Sequence, residues 1–217
     1  HQTNVKQSHI ICGESGGYRI LRTIEDEIGA LEVLNQRLVA IGRFGAVYGY
    51  DFTTERWTDW TGSLESRDIL SRTIVDDDQL ISVGTGQQFV RFTGDGWRSV
   101  CDAMEPDDGL DFHGLYPAGM GHYWVCGEDG FLADISADAI ARAELTSSPS
   151  LMDVAALPQA GTVAACGRRG ALFVSRGDGW TDERVDGIKA NFSRIVVWRG
   201  AFYLSGNTHI YRFSEEG

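Results

Sequence analysis

The segment Trp124-Val125-Cys126-Gly127 is a short apolar run that ends in a small residue and a glycine. Five further runs of this kind occur, at residues 10–13 (IICG), 39–42 (VAIG), 81–84 (ISVG), 164–167 (AACG) and 203–206 (YLSG). The last five of these glycines follow one another at intervals of 42, 43, 40 and 39 residues. A period of about 40 residues in a glycine-rich chain with short apolar runs is typical of a β-propeller, in which each repeat forms one four-stranded blade.

The repeat count sets the expected architecture. We predict an all-β fold, a single β-propeller domain over residues 1–217, with about six four-stranded blades. The first interval, from Gly13 to Gly42, is only 29 residues long, so five blades with a partial repeat is the alternative. A propeller often closes its ring with a strand from the other terminus, and residues 2–7 are the candidate for that strand.

A tryptophan follows two of the glycines at the same distance. Trp97 and Trp180 each lie 13 residues after their glycine and directly after an Asp-Gly pair, which suits a tight hairpin. Each is predicted to begin the outer strand of its blade and to be largely buried between blades. Ile140 stands at this position in the repeat between them. The alanines of residues 136–145 favour a short helix in place of that outer strand.

The turns before these tryptophans, residues 93–97 (TGDGW) and 175–180 (SRGDGW), resemble the sialidase-type or Asp-box repeat. They are similar to the shortened form found in bacterial assembly-factor propellers of the photosystem type. The resemblance extends over most of the chain in its period, although only these two turns match the motif well. It implies a propeller fold, and in that family the turns are structural.

Composition excludes some classes of function. A formal charge of −12 repels nucleic-acid phosphates, and no stretch approaches the ~18 apolar residues of a membrane span. Cys12, Cys126 and Cys166 share one position, just before the turn glycine, where a small buried residue is expected. Together with Cys101 they are predicted to be reduced thiols, which favours a cytoplasmic protein.

Charged residues are predicted to gather on the face of the propeller that holds the turns after the glycines and the loops between blades. The candidate binding residues on this face are Arg43, Glu105, Asp107, Asp108, Glu128, Asp129, Arg168, Arg169 and Asn207. The three arginines of this set could bind a carboxylate or a phosphate through paired hydrogen bonds. The run of residues 102–111 carries five carboxylates and is predicted to be a solvated acidic loop.

No catalytic constellation assembles from the sequence. Aligning the inner strands places Ser71, His113, Asp153 and Ser193 at one level of the channel, as in a hydrolase triad, but channels are commonly lined by polar residues that hold water, which is the favoured interpretation. The five histidines are scattered, and no His/Cys pair has zinc-site spacing. We therefore expect no metal and no cofactor, and we leave enzymatic activity open while favouring its absence.

The sequence thus favours a non-catalytic protein–protein interaction module, expected to be monomeric. Its strong negative charge favours a basic protein partner, because complementary charge speeds association. An acidic immunity-type protein that neutralises a basic toxin, or an assembly scaffold, would fit. The alternative is a glycan-binding or sialidase-like propeller, in which Trp97 and Trp180 would be exposed and stack on sugars.

Overall fold

The computed structural model describes residues 7–14, 17–60, 69–101, 104, 110–184 and 187–214. These residues form six antiparallel sheets of two, four, four, four, four and three strands, each sheet built from strands that are consecutive in the chain. The first three sheets contain β1 (Ser8–Glu14) and β2 (Gly17–Ile24); β3 (Ile28–Leu34), β4 (Arg37–Gly42), β5 (Val47–Asp51) and β6 (Arg56–Trp60); and β7 (Leu70–Asp76), β8 (Gln79–Gly84), β9 (Phe89–Phe92) and β10 (Trp97–Ser99).

The last three sheets continue this pattern. They contain β11 (Phe112–Gly119), β12 (His122–Gly127), β13 (Leu132–Ile135) and β14 (Ile140–Arg142); β15 (Leu151–Leu157), β16 (Thr162–Gly167), β17 (Leu172–Ser175) and β18 (Trp180–Asp182); and β19 (Arg194–Trp198), β20 (Ala201–Ser205) and β21 (Ile210–Phe213). The inner strands β3, β7, β11, β15 and β19 contact one another in that order and border one channel. The predicted all-β propeller with about six blades is confirmed.

The repeated glycine is required by a close backbone approach. A Cβ atom on Gly84, Gly127 or Gly167 would collide with the carbonyl oxygen of the residue just before the adjoining inner strand, respectively Ile69, Asp111 or Ser150. Each of these carbonyls accepts a hydrogen bond, 3.0 Å long, from the amide that follows the glycine. Gly127 and Gly167 have extended φ values near −167°, so the requirement comes from crowding and not from a left-handed backbone. In these three sheets the glycine therefore lets the second strand pack against the start of its inner strand.

The first apolar run does not share this role. Ser8, which opens β1, accepts a hydrogen bond from the Ile28 amide through its Oγ and donates one to the Asp26 carbonyl, so β1 begins beside the start of β3. Because Ile28 pairs with Gly42 at the end of β4, β1 runs in the direction opposite to β4. Gly13 consequently lies at the other end of its sheet, and a Cβ there would meet nothing within 4 Å. The prediction that Gly13 is equivalent to the other five glycines is wrong.

The outer strands pack on the preceding sheet. Trp97 donates its indole N–H to the Gly45 carbonyl of the second sheet at 2.7 Å, and Trp180 contacts Trp124 of the fourth sheet edge to face, with ring centroids 5.5 Å apart. Both side chains are half-buried between sheets. The helix predicted for residues 136–145 is wrong: Ile140 opens strand β14 and pairs with Ile135, because pairing with β13 and packing on the third sheet outweigh the helix propensity of the alanines.

The cysteines are free, as predicted. Cys126 and Cys166 are fully buried in the cores between sheets, and Cys101 is buried after β10. Cys12 is only half-buried, since its strand belongs to the two-stranded first sheet and not to a complete blade. Burial raises the pKa of the Cys126 and Cys166 thiols, which keeps them protonated and unreactive.

Candidate functional site

Four inner strands begin with the same irregularity. Near the start of β3, β7, β11 and β15, the pairing with the next strand shifts by one residue. One residue of the inner strand is therefore left without a partner in the ladder, namely Gly29, Ser71, His113 and Met152 in turn. Such bulges redirect a side chain and are frequent beside binding sites. Here they form a ring at the mouth of the channel, on the face that carries the turns after the repeated glycines.

Among these bulge residues, His113 lies between groups of opposite charge. Its Nε2 atom is 3.8 Å from Glu128 Oε1, and its side chain is 16% exposed. Burial lowers the pKa of the His113 imidazole below its ordinary value, and nearby Arg168 acts in the same direction, while Glu128 and Asp111 oppose them. His113 is therefore favoured in its neutral form, between a carboxylate on its own sheet and a guanidinium on the next.

The other predicted site residues that the structure describes lie on the same face but are separated. Arg43 is held by Glu27, with Nη1 donating to Oε1 at 2.8 Å. Arg169 donates its backbone N–H to Asn191 Oδ1 at 3.0 Å. Arg169 and Asp129 occupy matching 3-10 turns after β16 and β12, both with left-handed backbones, and Asn207 is exposed in the turn after β20. Of the predicted set, the structure brings together Glu128 and Arg168, around His113.

The acidic loop of residues 102–111 falls mainly outside the described residues, and so do Glu105, Asp107 and Asp108. Its last residue, Asp111, is fixed. The Asp111 Oδ1 atom accepts the Gly86 N–H at 3.1 Å, and its carbonyl accepts the Glu128 N–H. The end of the acidic loop is thus attached to the turns of two neighbouring sheets at the channel mouth.

Below this mouth the inner strands line an open, mainly apolar cavity of about 480 Å³. Every one of the five inner strands contributes to its wall. The lining residues are Glu32, Arg72, Ile74, Val75, Leu115, Tyr116, Pro117, Val154, Ala155, Ile195, Val196 and Val197. Of these lining residues, Val196 and Val197 are exposed large hydrophobic side chains. A cavity of this size with apolar walls is suited to an apolar side chain or a short segment of another molecule.

Two opposite charges face this apolar wall. Burial raises the pKa of the Glu32 carboxyl, and Arg72 on the neighbouring inner strand acts in the opposite direction. No sequence pattern marks either residue as part of a site, because their placement depends on the pairing register of two separate blades.

Ser71, His113, Asp153 and Ser193, which the sequence alignment places at one level of the channel, do not all lie at one level. The bulge of β15 is at Met152, so Asp153 aligns with Gly114 and Arg72 and not with Ser71 and His113. Asp153 is 1% exposed, and its Oδ2 atom accepts the Ile195 N–H at 3.1 Å. Ser193 donates its amide to the Ser205 carbonyl. The alignment of the inner strands was wrong by one residue at Asp153, which turns its side chain from the mouth into the protein.

Asp153 gives a pH prediction. Burial raises the pKa of its carboxyl above the ordinary value, against the opposing effects of Arg72, the Ile195 amide and Arg194. The folded state therefore holds this proton more tightly than the unfolded state, so the group's contribution to stability falls as pH rises from the ordinary carboxyl pKa through the raised one. We expect Asp153→Asn to raise the free energy of unfolding at pH 7, and we expect this gain to vanish at acidic pH. Urea denaturation at several pH values measures both effects. Asp153→Ala, which leaves the Ile195 amide unpaired, should destabilise at all pH values.

Other site types receive no support from the described residues. Within them, no group of three or more His, Cys, Asp or Glu side chains is placed to hold a metal ion. No helix in this part of the chain has the length and apolarity needed to span a membrane. Trp97 and Trp180 are packed between sheets, so they do not form the exposed sugar-stacking platform that the glycan alternative requires.

Comparisons with known proteins support the fold. No family model matches the chain, and no curated protein matches its sequence. Among solved structures, YCF48 bound to a D1 peptide is 18% identical with a TM-score of 0.68, over 92% of this chain and 69% of that one. Virginiamycin B lyase from Staphylococcus aureus is 9% identical with a TM-score of 0.75, over 98% and 72%. Sqt1 from Chaetomium thermophilum, bound to the N-terminus of ribosomal protein L10, is 12% identical with a TM-score of 0.73, over 96% and 66%. These neighbours are β-propellers, and at such identities the likeness concerns the fold alone.

Proposed function

We propose that the protein is a non-catalytic protein-interaction module that takes an extended apolar segment of a partner into its channel. The observation that carries this proposal is the cavity of about 480 Å³ walled by five inner strands. Val196 and Val197 in its wall are 55% and 39% exposed, and exposed apolar strand residues around a cavity are typical of a binding surface. Two structural neighbours named above were solved with a peptide or a protein N-terminus, which supports the same mode of use.

The charge of the chain favours a basic partner. A net charge of −12 attracts cationic proteins and raises their association rate. In this proposal Glu105, Asp107 and Asp108 steer the partner, and Glu128, Asp129, Arg43, Arg168, Arg169 and Asn207 contact it at the channel mouth. An immunity-type protein against a basic toxin and an assembly scaffold are both consistent with this chemistry. The module would act as a cytoplasmic monomer, and its turns at residues 93–97 and 175–180 support descent from Asp-box-type repeats.

The channel can be tested with a displayed library of random twelve-residue peptides. We expect the wild-type protein to select peptides with an apolar centre and lysine or arginine around it. Val196→Glu should weaken the selected peptides about tenfold or more, because it places a charge in the apolar wall. Ile20→Glu is the matched control, since Ile20 is equally exposed but lies on β2, outside the cavity lining. Equal loss in both variants, or selection without any apolar and basic preference, would contradict the proposal.

A further inference from the structure

A second open cavity lies between the second and third sheets, and its volume is about 360 Å³. Its apolar wall consists of Leu34 and Trp60 from the second sheet and Leu80 and Phe92 from the third. The same four side chains take part in the packed interface between these sheets, so the cavity opens directly from an ordered core. It shares no lining residue with the channel cavity, and it is therefore a separate candidate site.

Two aromatic rings line this cavity at an angle to each other. The ring centroids of Trp60 and Phe92 lie 6.4 Å apart, and the ring planes are inclined by 52°. A Cβ atom on Gly49 would collide with the six-membered part of the Trp60 ring, so the missing side chain at Gly49 makes room for that ring on β5. The faces of aromatic rings attract cations, and tryptophan does so most strongly. The two rings therefore favour a positively charged ligand.

A carboxylate stands beside the rings without a partner. Asp78, in the turn between β7 and β8, lines the cavity and is exposed, and within the described part of the chain its side chain makes no ion pair or hydrogen bond. Arg37, beside the hairpin of Leu34, is paired with Asp51 at 3.4 Å. Arg98, beside the hairpin between β9 and β10, is paired with Asp95 at 3.1 Å. The negative charge of Asp78 is thus available to a cation from another molecule.

The remaining charges near these hairpins do not belong to the cavity. Asp76 accepts a hydrogen bond from the Tyr123 hydroxyl of the fourth sheet at 2.7 Å. Arg91 directly precedes Phe92 in β9 and therefore points to the opposite face of the third sheet. Asp77 lies next to Asp78 but outside the lining. Asp78 consequently sets the charge of the cavity wall.

An arginine side chain matches these groups better than a lysine or a sugar. Its planar guanidinium can stack on an indole ring and bind a carboxylate through two parallel hydrogen bonds, which a lysine ammonium cannot do. Its aliphatic part would pack on the apolar wall. A sugar needs several hydrogen-bonding groups around it, whereas the Thr93 hydroxyl already donates to Asp95 and the wall is mainly apolar.

We propose that this cavity binds an arginine side chain of a basic partner protein, with the guanidinium stacked on the Trp60 ring and paired with the Asp78 carboxylate. The net charge of −12 favours such a partner. The site does not depend on a peptide in the channel, because the two cavities have separate walls. Either proposal can therefore fail without the other.

Nuclear magnetic resonance of the whole ¹⁵N-labelled protein tests the site with single residues as probes. The probes are Nα-acetyl-arginine methylamide and its citrulline analogue, which has nearly the same shape but no charge. We expect the arginine probe to shift the Trp60 indole N–H signal saturably, and the citrulline probe to bind at least about fivefold more weakly. The signal is identified by its loss in Trp60→Phe.

Asp78→Asn and Asp77→Asn form a matched pair of variants. They remove the same charge from adjacent residues of one turn, both exposed and both with a left-handed backbone, but only Asp78 lines the cavity. We expect Asp78→Asn to weaken binding of the arginine probe about fivefold or more, and Asp77→Asn to change it by less than about twofold. Val196→Glu, in the channel wall, should leave this binding unchanged.

Several results would overturn the proposal. They are equal affinity for the arginine and citrulline probes, equal losses in the two aspartate variants, and absence of a saturable shift of the Trp60 signal. Loss of arginine binding in Val196→Glu would place the probe in the channel instead. A saturable shift by methyl glucoside, at concentrations where the arginine probe has no effect, would assign the cavity to a neutral sugar.

Discussion

Replacing Gly127 by alanine is expected to lower the free energy of unfolding by about 3 kcal/mol or more. The new Cβ would collide with the Asp111 carbonyl. This carbonyl belongs to the backbone and accepts a hydrogen bond from the Glu128 amide, so it cannot rotate away. Gly127 is also buried, which leaves no space into which β12 could shift. Urea denaturation followed by tryptophan fluorescence measures the change.

Gly13→Ala is the control for this substitution. Gly13 ends an apolar run of the same kind, yet its Cβ would have free space around it. We expect a change within about 0.5 kcal/mol, as for surface positions without a special backbone role. A large loss at Gly13, or a negligible one at Gly127, would show that crowding against the inner strand is not the reason for the repeated glycine.

Trp97→Ala should lower the free energy of unfolding by about 3 kcal/mol, the lower end for truncation of a large aromatic residue, because the ring is half-buried. The substitution removes the contact with Phe92 and the hydrogen bond to the Gly45 carbonyl. It opens the interface between the second and third sheets. The same denaturation experiment measures the effect.

Two variants check that explanation. Trp97→Phe keeps an aromatic ring but loses the indole N–H, and should cost less than Trp97→Ala. Trp198→Ala removes a tryptophan that is 54% exposed on the inner strand β19, and should cost less than 1 kcal/mol, roughly the effect of a surface substitution. Similar losses for Trp97→Ala and Trp198→Ala would argue that Trp97 does not hold two sheets together.

The fold was predictable because its determinant is local and recurs. At Gly84, Gly127 and Gly167 the glycine is required by one steric constraint, the close approach of the carbonyl just before the inner strand, so the spacing of these glycines reflects the spacing of the blades. The same local pattern led to a wrong prediction at Gly13, because β1 runs in the direction opposite to β4 and yet also contains a small residue followed by glycine near its end. It also misled at residues 136–145, where helix propensity is a weak preference that pairing of Ile140 with Ile135 overrides.

The candidate site was less predictable because it is assembled across blades. Glu32 and Arg72 belong to inner strands some 40 residues apart, and the pairing register of each strand decides that both residues line the same cavity. A single bulge residue, Met152, shifts Asp153 from the predicted mouth to the interior. Nothing in the sequence around β15 distinguishes the bulged residue from its neighbour, so the level of each side chain had to come from the structure.

The most direct test of a peptide-binding channel is photo-cross-linking at Val197, on β19 in the wall of the cavity. A benzophenone amino acid replaces Val197 in one variant and Ile20, on the first sheet, in another, and each is irradiated with a peptide chosen by the wild-type protein from the library. The account predicts that the peptide is attached at position 197 and not at position 20, with mass spectrometry locating the link in its apolar centre. Attachment at position 20 alone, or at neither position while the peptide still binds, would contradict it.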